Sequence, residues 1–132
     1  MEILPPKKIK LVDIPDKGRG IIATQDILAG QIIEICPIII LSQKDTDYIR
    51  QSSDFLNFYY LEQTAINKAC LMLGYGSLYN HNSKDPNADI DYDTDEIKNY
   101  VIFKALEDIK AGQEITYNYD YDSDKIEFLK ID

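Results

Sequence analysis

Three short clusters in this chain hold residue types that could do chemistry. The first is Lys17-Gly18-Arg19-Gly20. Two glycines around one residue remove the Cβ atoms, so a ligand can lie directly against the backbone amide and carbonyl groups. An ordinary turn uses the same pair, and the cluster becomes informative only in company. The second cluster, Asn80-His81, contains the single histidine of the chain. One histidine cannot build a metal centre or a catalytic triad unaided, and it reads first as a structural residue. The third is Glu114-Ile115-Thr116-Tyr117-Asn118-Tyr119, in a chain with ten tyrosines and no tryptophan. A tyrosine joins an apolar ring to a hydroxyl that can donate or accept, which suits the wall of a narrow channel.

Two further patterns weigh less. Asp85, Asn87, Asp89 and Glu96 stand at the first, third, fifth and twelfth positions of a calcium-binding loop. Its sixth position is Ile90, where such a loop needs glycine for its sharp turn, and the flanks read as strands rather than helices. The alternation Asp89-Ile90-Asp91-Tyr92-Asp93 fits a strand better, with Ile90 and Tyr92 inward and the acids in water, where they could receive a basic substrate. Cys36 and Cys70 lie far apart with no Cys-x-x-Cys pair, so they read as core residues, and no metal site is expected.

These clusters need elements to position them. Ile9 to Val12 alternates as a strand and runs into a turn-rich stretch from Asp13 to Gly20. Ile21 to Ala23, Ile32 to Ile35 and, beyond Pro37, Ile38 to Leu41 read as short strands, with a turn through Asp26 to Gly30. Ser42 marks a helix start before Lys44 to Gln51. The aromatic run Phe55 to Tyr60 suits a buried strand. Further strands are expected at Cys70 to Leu73, Ala88 to Tyr92, Tyr100 to Ala105 and, after the Ala111-Gly112 turn, Glu114 to Tyr119. Ser123 to Leu129 could close the chain as a helix with Ile126 and Leu129 on one face. No internal repeat is expected.

The length of 132 residues, with 45% hydrophobic and 28% charged composition, allows one core. A single domain over 1–132 is expected, with its core at about 8–121 and a short tail at 122–132. A formal charge of −9 argues against a protein that neutralises phosphates, so no direct nucleic-acid binding is expected, and it favours encounter with basic protein segments. No run of roughly 18 to 20 apolar residues and no apolar signal core is present, which predicts a soluble, intracellular protein without a membrane span.

Taken in order, residues 17–27, residues 76–88 with Asn80-His81 and Pro86-Asn87, and residues 105–119 with Glu114-Ile115-Thr116 and Tyr119 resemble the SET domain. Three blocks in sequence, covering most of the chain, make the resemblance specific. It implies a β-rich α+β fold of several short strands in small sheets, with one or two short helices and a knot-like C-terminal segment. It also implies an S-adenosylmethionine-dependent protein-lysine methyltransferase acting on a lysine-containing basic segment such as a histone tail. By the resemblance, Lys17, Gly18, Arg19, Gly20, Asn80, His81 and Tyr119 bind the cofactor, and Tyr119 is the catalytic tyrosine. Tyr60, Tyr75, Tyr117 and Phe58 are candidates for the substrate channel, and Tyr79 for packing near it.

The chain departs from the family pattern in three places. Four residues, Asn82 to Asp85, separate Asn80-His81 from Pro86-Asn87 where the family has three. Ile35-Cys36-Pro37 stands where many members carry Tyr-x-Gly. The Cys-rich zinc segment that follows many SET domains is absent, so the tail around Phe128, or a second copy in a homodimer, would close the site. The rival expectation keeps the fold without catalysis, as a module that binds basic protein tails.

Overall fold

The computed structural model describes residues 2–52, 59–63, 66–91 and 99–119. Strand β1 (Ile9–Ile14) and strand β2 (Gly18–Ala23) form an antiparallel hairpin in which Ile9 faces Ala23 and Ile14 faces Gly18. The stretch expected as a loop up to Gly20 is therefore strand from Gly18 onward. The turn shrinks to Pro15-Asp16-Lys17, with Asp16 at a φ of 67° and the Lys17 amide donating to the Ile14 carbonyl at 3.2 Å. Asparagine and aspartate tolerate that left-handed conformation better than most residues, and this is why so short a turn can close here.

The expected strands on either side of Pro37 are one strand, β3 (Ile32–Ile40). Its first part pairs with β8 (Tyr100–Ala105), and its last three residues pair with β5 (Lys68–Met72). Pro37 sits at the change of partner, and a residue without an N–H is tolerated where one ladder ends and the next begins. With β4 (Tyr60–Gln63) and β7 (Ala88–Asp91) these build a five-stranded sheet in the order β4-β5-β3-β8-β7. A register shift between Ile32 and Glu34 breaks the alternation of β3, and Ile33 and Glu34 are both buried. Ile35-Cys36-Pro37 lies within this sheet, with Cys36 fully buried.

Helix α1 (Gln43–Ser52) starts where Ser42 predicts it, the Ser42 hydroxyl accepting from the Asp45 amide at 3.1 Å. It docks on the β4-β5 hairpin through the buried Thr46, whose hydroxyl accepts from the Ala69 amide, and through a paired contact of Arg50 with Glu62. The expected strand from Phe55 begins only at Tyr60 within the described residues. Residues 55–58, Tyr92, Asp93, Glu96 and the stretch 123–129 expected as a closing helix, with Phe128, lie outside them.

A 3₁₀ turn (Gly76–Leu78) leads into the two-residue strand β6 (Asn80–His81), which pairs in parallel with β9 (Thr116–Tyr117). The strand expected over Glu114 to Tyr119 is thus confined to β9, with Glu114 bridging back to Ile22. The parallel pairing lays the segment through Thr116 and Tyr117 beside a strand from the middle of the chain.

The absence of a repeat is corrected by the structure. Asp26-Ile27-Leu28-Ala29-Gly30-Gln31 and Asp108-Ile109-Lys110-Ala111-Gly112-Gln113 agree at five of six positions and form matching turns. The two clasp each other reciprocally. Asp108 Oδ1 accepts from the Ala29 amide at 2.9 Å and Asp26 Oδ1 from the Ala111 amide at 3.0 Å, while Ile27 and Ile109 exchange both backbone hydrogen bonds. Gln31 and Gln113 each accept from an amide of their own turn. Gly30 and Gly112 take the positive φ, 83° and 90°, that closes each one. Ile27 and Ile109 are fully buried in a core that also contains Ile21, Cys36, Tyr79, Phe103 and Ile115.

Candidate active site

The three chemically suggestive clusters meet at one corner. β2 brings Gly18 to Gly20, β6 brings Asn80 and His81, and the segment through β9 brings Glu114 to Tyr119. The Asn80 side-chain amide donates to the Arg19 carbonyl at 2.9 Å and to Glu114 Oε2 at 2.7 Å. Lys17 Nζ lies 2.9 Å from Glu114 Oε1. Glu114 therefore joins all three clusters, although sequence reasoning gave it no role of its own. The only signal it offers is its place within the third block.

Gly20 is buried at this junction. A Cβ there would fall 2.5 Å from Ile14 Cδ1 and 2.6 Å from both Asn80 Nδ2 and Glu114 Oε2. Its missing side chain thus makes room for the protein's own Asn80–Glu114 bond. The open edge of the strand is at Gly18 and Arg19, which are exposed, and a Cβ on Gly18 would meet nothing within 4 Å.

His81 is completely buried. Its Nδ1 accepts from the Tyr119 backbone amide at 3.0 Å, so the neutral ring has its proton on Nε2. The rings of His81 and Tyr119 lie 4.9 Å apart and those of Tyr117 and Tyr119 4.8 Å apart. The Tyr119 hydroxyl donates to the Tyr79 carbonyl, just before β6. Tyr119 is thus held at both ends, by its amide and by its hydroxyl, and is half-buried between them.

Asn87 is a second clamp. It is buried, its side-chain amide donates to the Glu114 carbonyl at 2.8 Å, and its Oδ1 accepts from the Thr116 amide at 2.9 Å. The extra residue between the two halves of this block is taken up by Asn82, whose Oδ1 accepts from the amides of Lys84 and Asp85 at 3.0 and 2.9 Å.

The channel candidates divide. Tyr117 is buried and meets Tyr119, Tyr79 and Phe103 edge to face or tilted. Tyr75 is half-buried and donates its amide to Glu34 Oε2 at 3.0 Å. Tyr60 stands on β4, the outer strand of the five-stranded sheet, where burial and then the Glu62 carboxylate raise its pKa. Phe58 lies outside the described residues. Tyr79 is more central than expected. It is fully buried, stacks on Phe103 at 4.3 Å and donates its hydroxyl to Glu34 Oε1 at 2.7 Å. Burial, followed by the Glu34 charge, holds that hydroxyl neutral far above its ordinary range.

Residues 85–91 do not form a calcium loop in the described part. Asp89 and Asp91 lie on β7 with Ile90 buried between them, and Asp91 pairs with Lys104 at 2.7 Å. Among the described residues no group of three potential metal ligands converges. Both cysteines are buried and unpaired with each other, and burial, then Glu34, pushes the Cys36 thiol up.

Residues 18–120 match the SET domain. The histone-lysine N-methyltransferase, H3 lysine-37 specific, of Schizosaccharomyces pombe is 29% identical over 111 residues, covering 84% of this chain and 72% of that protein. A Plasmodium falciparum structure, described as a candidate histone methyltransferase, superimposes with a TM-score of 0.66 at 30% identity over 89% of this chain and 96% of its own. The Neurospora SET domain protein DIM-5, a histone lysine methyltransferase, gives 0.67 at 19% identity over 86% of this chain and 52% of its own, a likeness of fold. With three motif blocks assembled at one corner of this fold, the chain belongs to the SET-domain family and is an S-adenosylmethionine-dependent protein-lysine methyltransferase.

Proposed function

We propose that Lys17, Gly18, Arg19, Gly20, Asn80 and His81 hold the cofactor, that Tyr119 is the catalytic residue, and that the substrate is a lysine in a basic protein segment such as a histone tail. One observation carries this reading. Tyr119 is fixed by His81 at its amide and by Tyr79 at its hydroxyl, and Asn80, which follows Tyr79, donates to the Arg19 carbonyl on the strand edge. The donor set fits S-adenosylmethionine chemically. Lys17 and Arg19 offer cations to its carboxylate, Glu114 and the backbone carbonyls offer acceptors to its ammonium, and the ring of Tyr119 offers a π-face to its cationic sulfur.

The bound cofactor supplies a methyl group on a positively charged sulfur. The protein must then present a neutral amine in line with it, because a lysine of pKa near 10.4 is almost all ammonium at neutral pH. Aromatic walls favour the neutral form by excluding water from the charged one. Since the Tyr119 hydroxyl already donates to the Tyr79 carbonyl, its oxygen is left to accept. It and that carbonyl can both accept from the amine N–H groups, which turns the nitrogen lone pair towards the methyl. The remaining contribution is orientation, and it is large when two reacting atoms are held near contact.

The test is transfer of labelled methyl groups to core histones and to a whole-cell protein extract, with Tyr119→Phe alongside and cofactor affinity measured by calorimetry. The expected outcome is labelled lysine with the parent protein, a loss of at least about 100-fold in Tyr119→Phe, and nearly unchanged cofactor affinity. Cofactor binding without transfer to any protein would overturn the catalytic reading in favour of a module that binds basic tails. Labelling in the extract but not on histones would overturn the histone assignment alone.

A further inference from the structure

Glu34 is a carboxylate only 3% exposed, set in an otherwise apolar strand, and nothing in the reaction calls for it. Burying a carboxylate is costly unless its oxygens are satisfied, so what satisfies them shows what the residue does. Oε2 accepts from the Tyr75 amide at 3.0 Å and Oε1 accepts from the Tyr79 hydroxyl at 2.7 Å. The two donors stand at either end of the 3₁₀ turn, Gly76–Leu78. Glu34 therefore grips both ends of the short segment that carries the Tyr79 carbonyl, and that carbonyl accepts the hydroxyl of Tyr119. Phe103, which stands opposite Glu34 in the β3–β8 register, stacks on the Tyr79 ring and fixes the plane about which that grip acts.

We infer that Glu34 is a positioning residue for methyl transfer, acting through the Tyr79 hydroxyl and carbonyl to hold the Tyr119 hydroxyl in place. This rests on the reading of Tyr119 as the catalytic tyrosine. A carboxylate is acceptor-only, and its bonds to Tyr75 and Tyr79 are both to donors, so its charge adds strength to each. Burial of Tyr79 keeps its hydroxyl protonated and therefore able to donate. The line of contacts runs from β3 through the 3₁₀ turn to the C-terminal segment, and none of its hydrogen bonds is made by Lys17, Arg19 or the Asn80 side chain. Glu34 should accordingly govern turnover and not cofactor affinity.

The variant that isolates this connection is Tyr79→Phe, which deletes one hydroxyl and keeps the ring on Phe103. Glu34→Gln is its companion. Both are measured with core histones as substrate, alone and in the Tyr119→Phe background. The Tyr119 resonance is followed in protein carrying ¹³Cζ-tyrosine and is assigned by its disappearance in Tyr119→Phe. Thr46→Val, which removes the bond between α1 and β5 far from these groups, serves as a control for general loss of stability.

The expected result is a drop of about tenfold in kcat for Tyr79→Phe, corresponding to one misplaced hydrogen bond, with KM for S-adenosylmethionine unchanged within about twofold. It also includes no further drop when Tyr79→Phe is added to Tyr119→Phe, and a shifted Tyr119 resonance in both Tyr79→Phe and Glu34→Gln but not in Thr46→Val. An unshifted Tyr119 resonance, or losses in kcat that multiply in the double variant, would overturn the inference. The resonance test does not depend on histones being the substrate. The two readings therefore fail separately: full activity in Tyr119→Phe removes the catalytic assignment, whereas an unmoved resonance removes only the role of Glu34.

Discussion

Gly20 shows how much a single absent methyl can govern. Its Cβ position is filled by Ile14, Asn80 and Glu114 at 2.5 to 2.6 Å, so Gly20→Ala must separate the amide–carboxylate pair that ties the strand edge to the C-terminal segment. The expected loss is about 1–3 kcal/mol in unfolding free energy by urea titration, typical of an overpacked site. Calorimetry should show cofactor affinity falling by about tenfold or more, about 1.4 kcal/mol. Gly112→Ala is the matched control. It meets no atom within 4 Å but has a φ of 90°, so it should cost about 1–2 kcal/mol through backbone strain and leave cofactor affinity alone. Equal loss of affinity in the two would show that Gly20 acts only through stability. At this scale the sequence made the glycines, Asn80, His81 and Tyr119 legible because their block order is specific. It concealed Glu114 and Glu34, since a lone glutamate has no spacing of its own. Glu34 did leave one trace, as the only charged residue between Gln31 and Leu41.

Elements were legible where alternation runs for several residues. β1, β5, β7 and β8 lie at or within two residues of their expected places, and Ser42 announces α1. What sequence could not resolve was decided by distant partners. β2 begins at Gly18 because β1 offers it a ladder, and β6 and β9 are two residues each, too short to show any period. Their pairing depends on Asn87. Asn87→Ala would leave the Glu114 carbonyl and the Thr116 amide without their partner, at about 1–3 kcal/mol for each buried group. Hydrogen exchange should locate the loosening in residues 114–119, and protection there equal to that of the parent would refute the clamp. The paired turns respond to acid. The Ala111 amide and then Lys110 hold the Asp26 carboxyl below its ordinary 3.8. A carboxyl depressed in the folded state contributes stability that is complete above the unfolded pKa and is lost as pH falls through the folded one. The urea midpoint of the parent should therefore fall faster than that of Asp26→Asn below about pH 4, with the two curves parallel above about pH 5. Parallel curves throughout would mean that the Asp26 bond adds nothing.

Across the whole molecule the charge of −9 acts on partners rather than on the fold. Among the described residues no helix is long and apolar enough to cross a membrane. An acidic surface draws in a lysine-rich segment, and salt weakens that attraction as the screening length falls from about 10 Å at 0.1 M to about 3 Å at 1 M. Steady-state assays should show KM for a lysine-rich peptide rising several-fold over that range, with KM for S-adenosylmethionine much less affected. A peptide KM indifferent to salt would assign recognition to the channel alone. The reciprocal turns also bear on how the enzyme comes into being. Their cross-bonds join residues 79 and 85 positions apart, and Lys17 meets Glu114 across 97. Contacts this distant in sequence close late, and during synthesis they cannot close until the second partner has left the ribosome. A nascent chain interrupted before its second turn would leave Ile27 without Ile109 and would lack Glu114 to Tyr119. An unfinished copy of this methyltransferase would lack the proposed catalytic Tyr119 and should therefore transfer no methyl group.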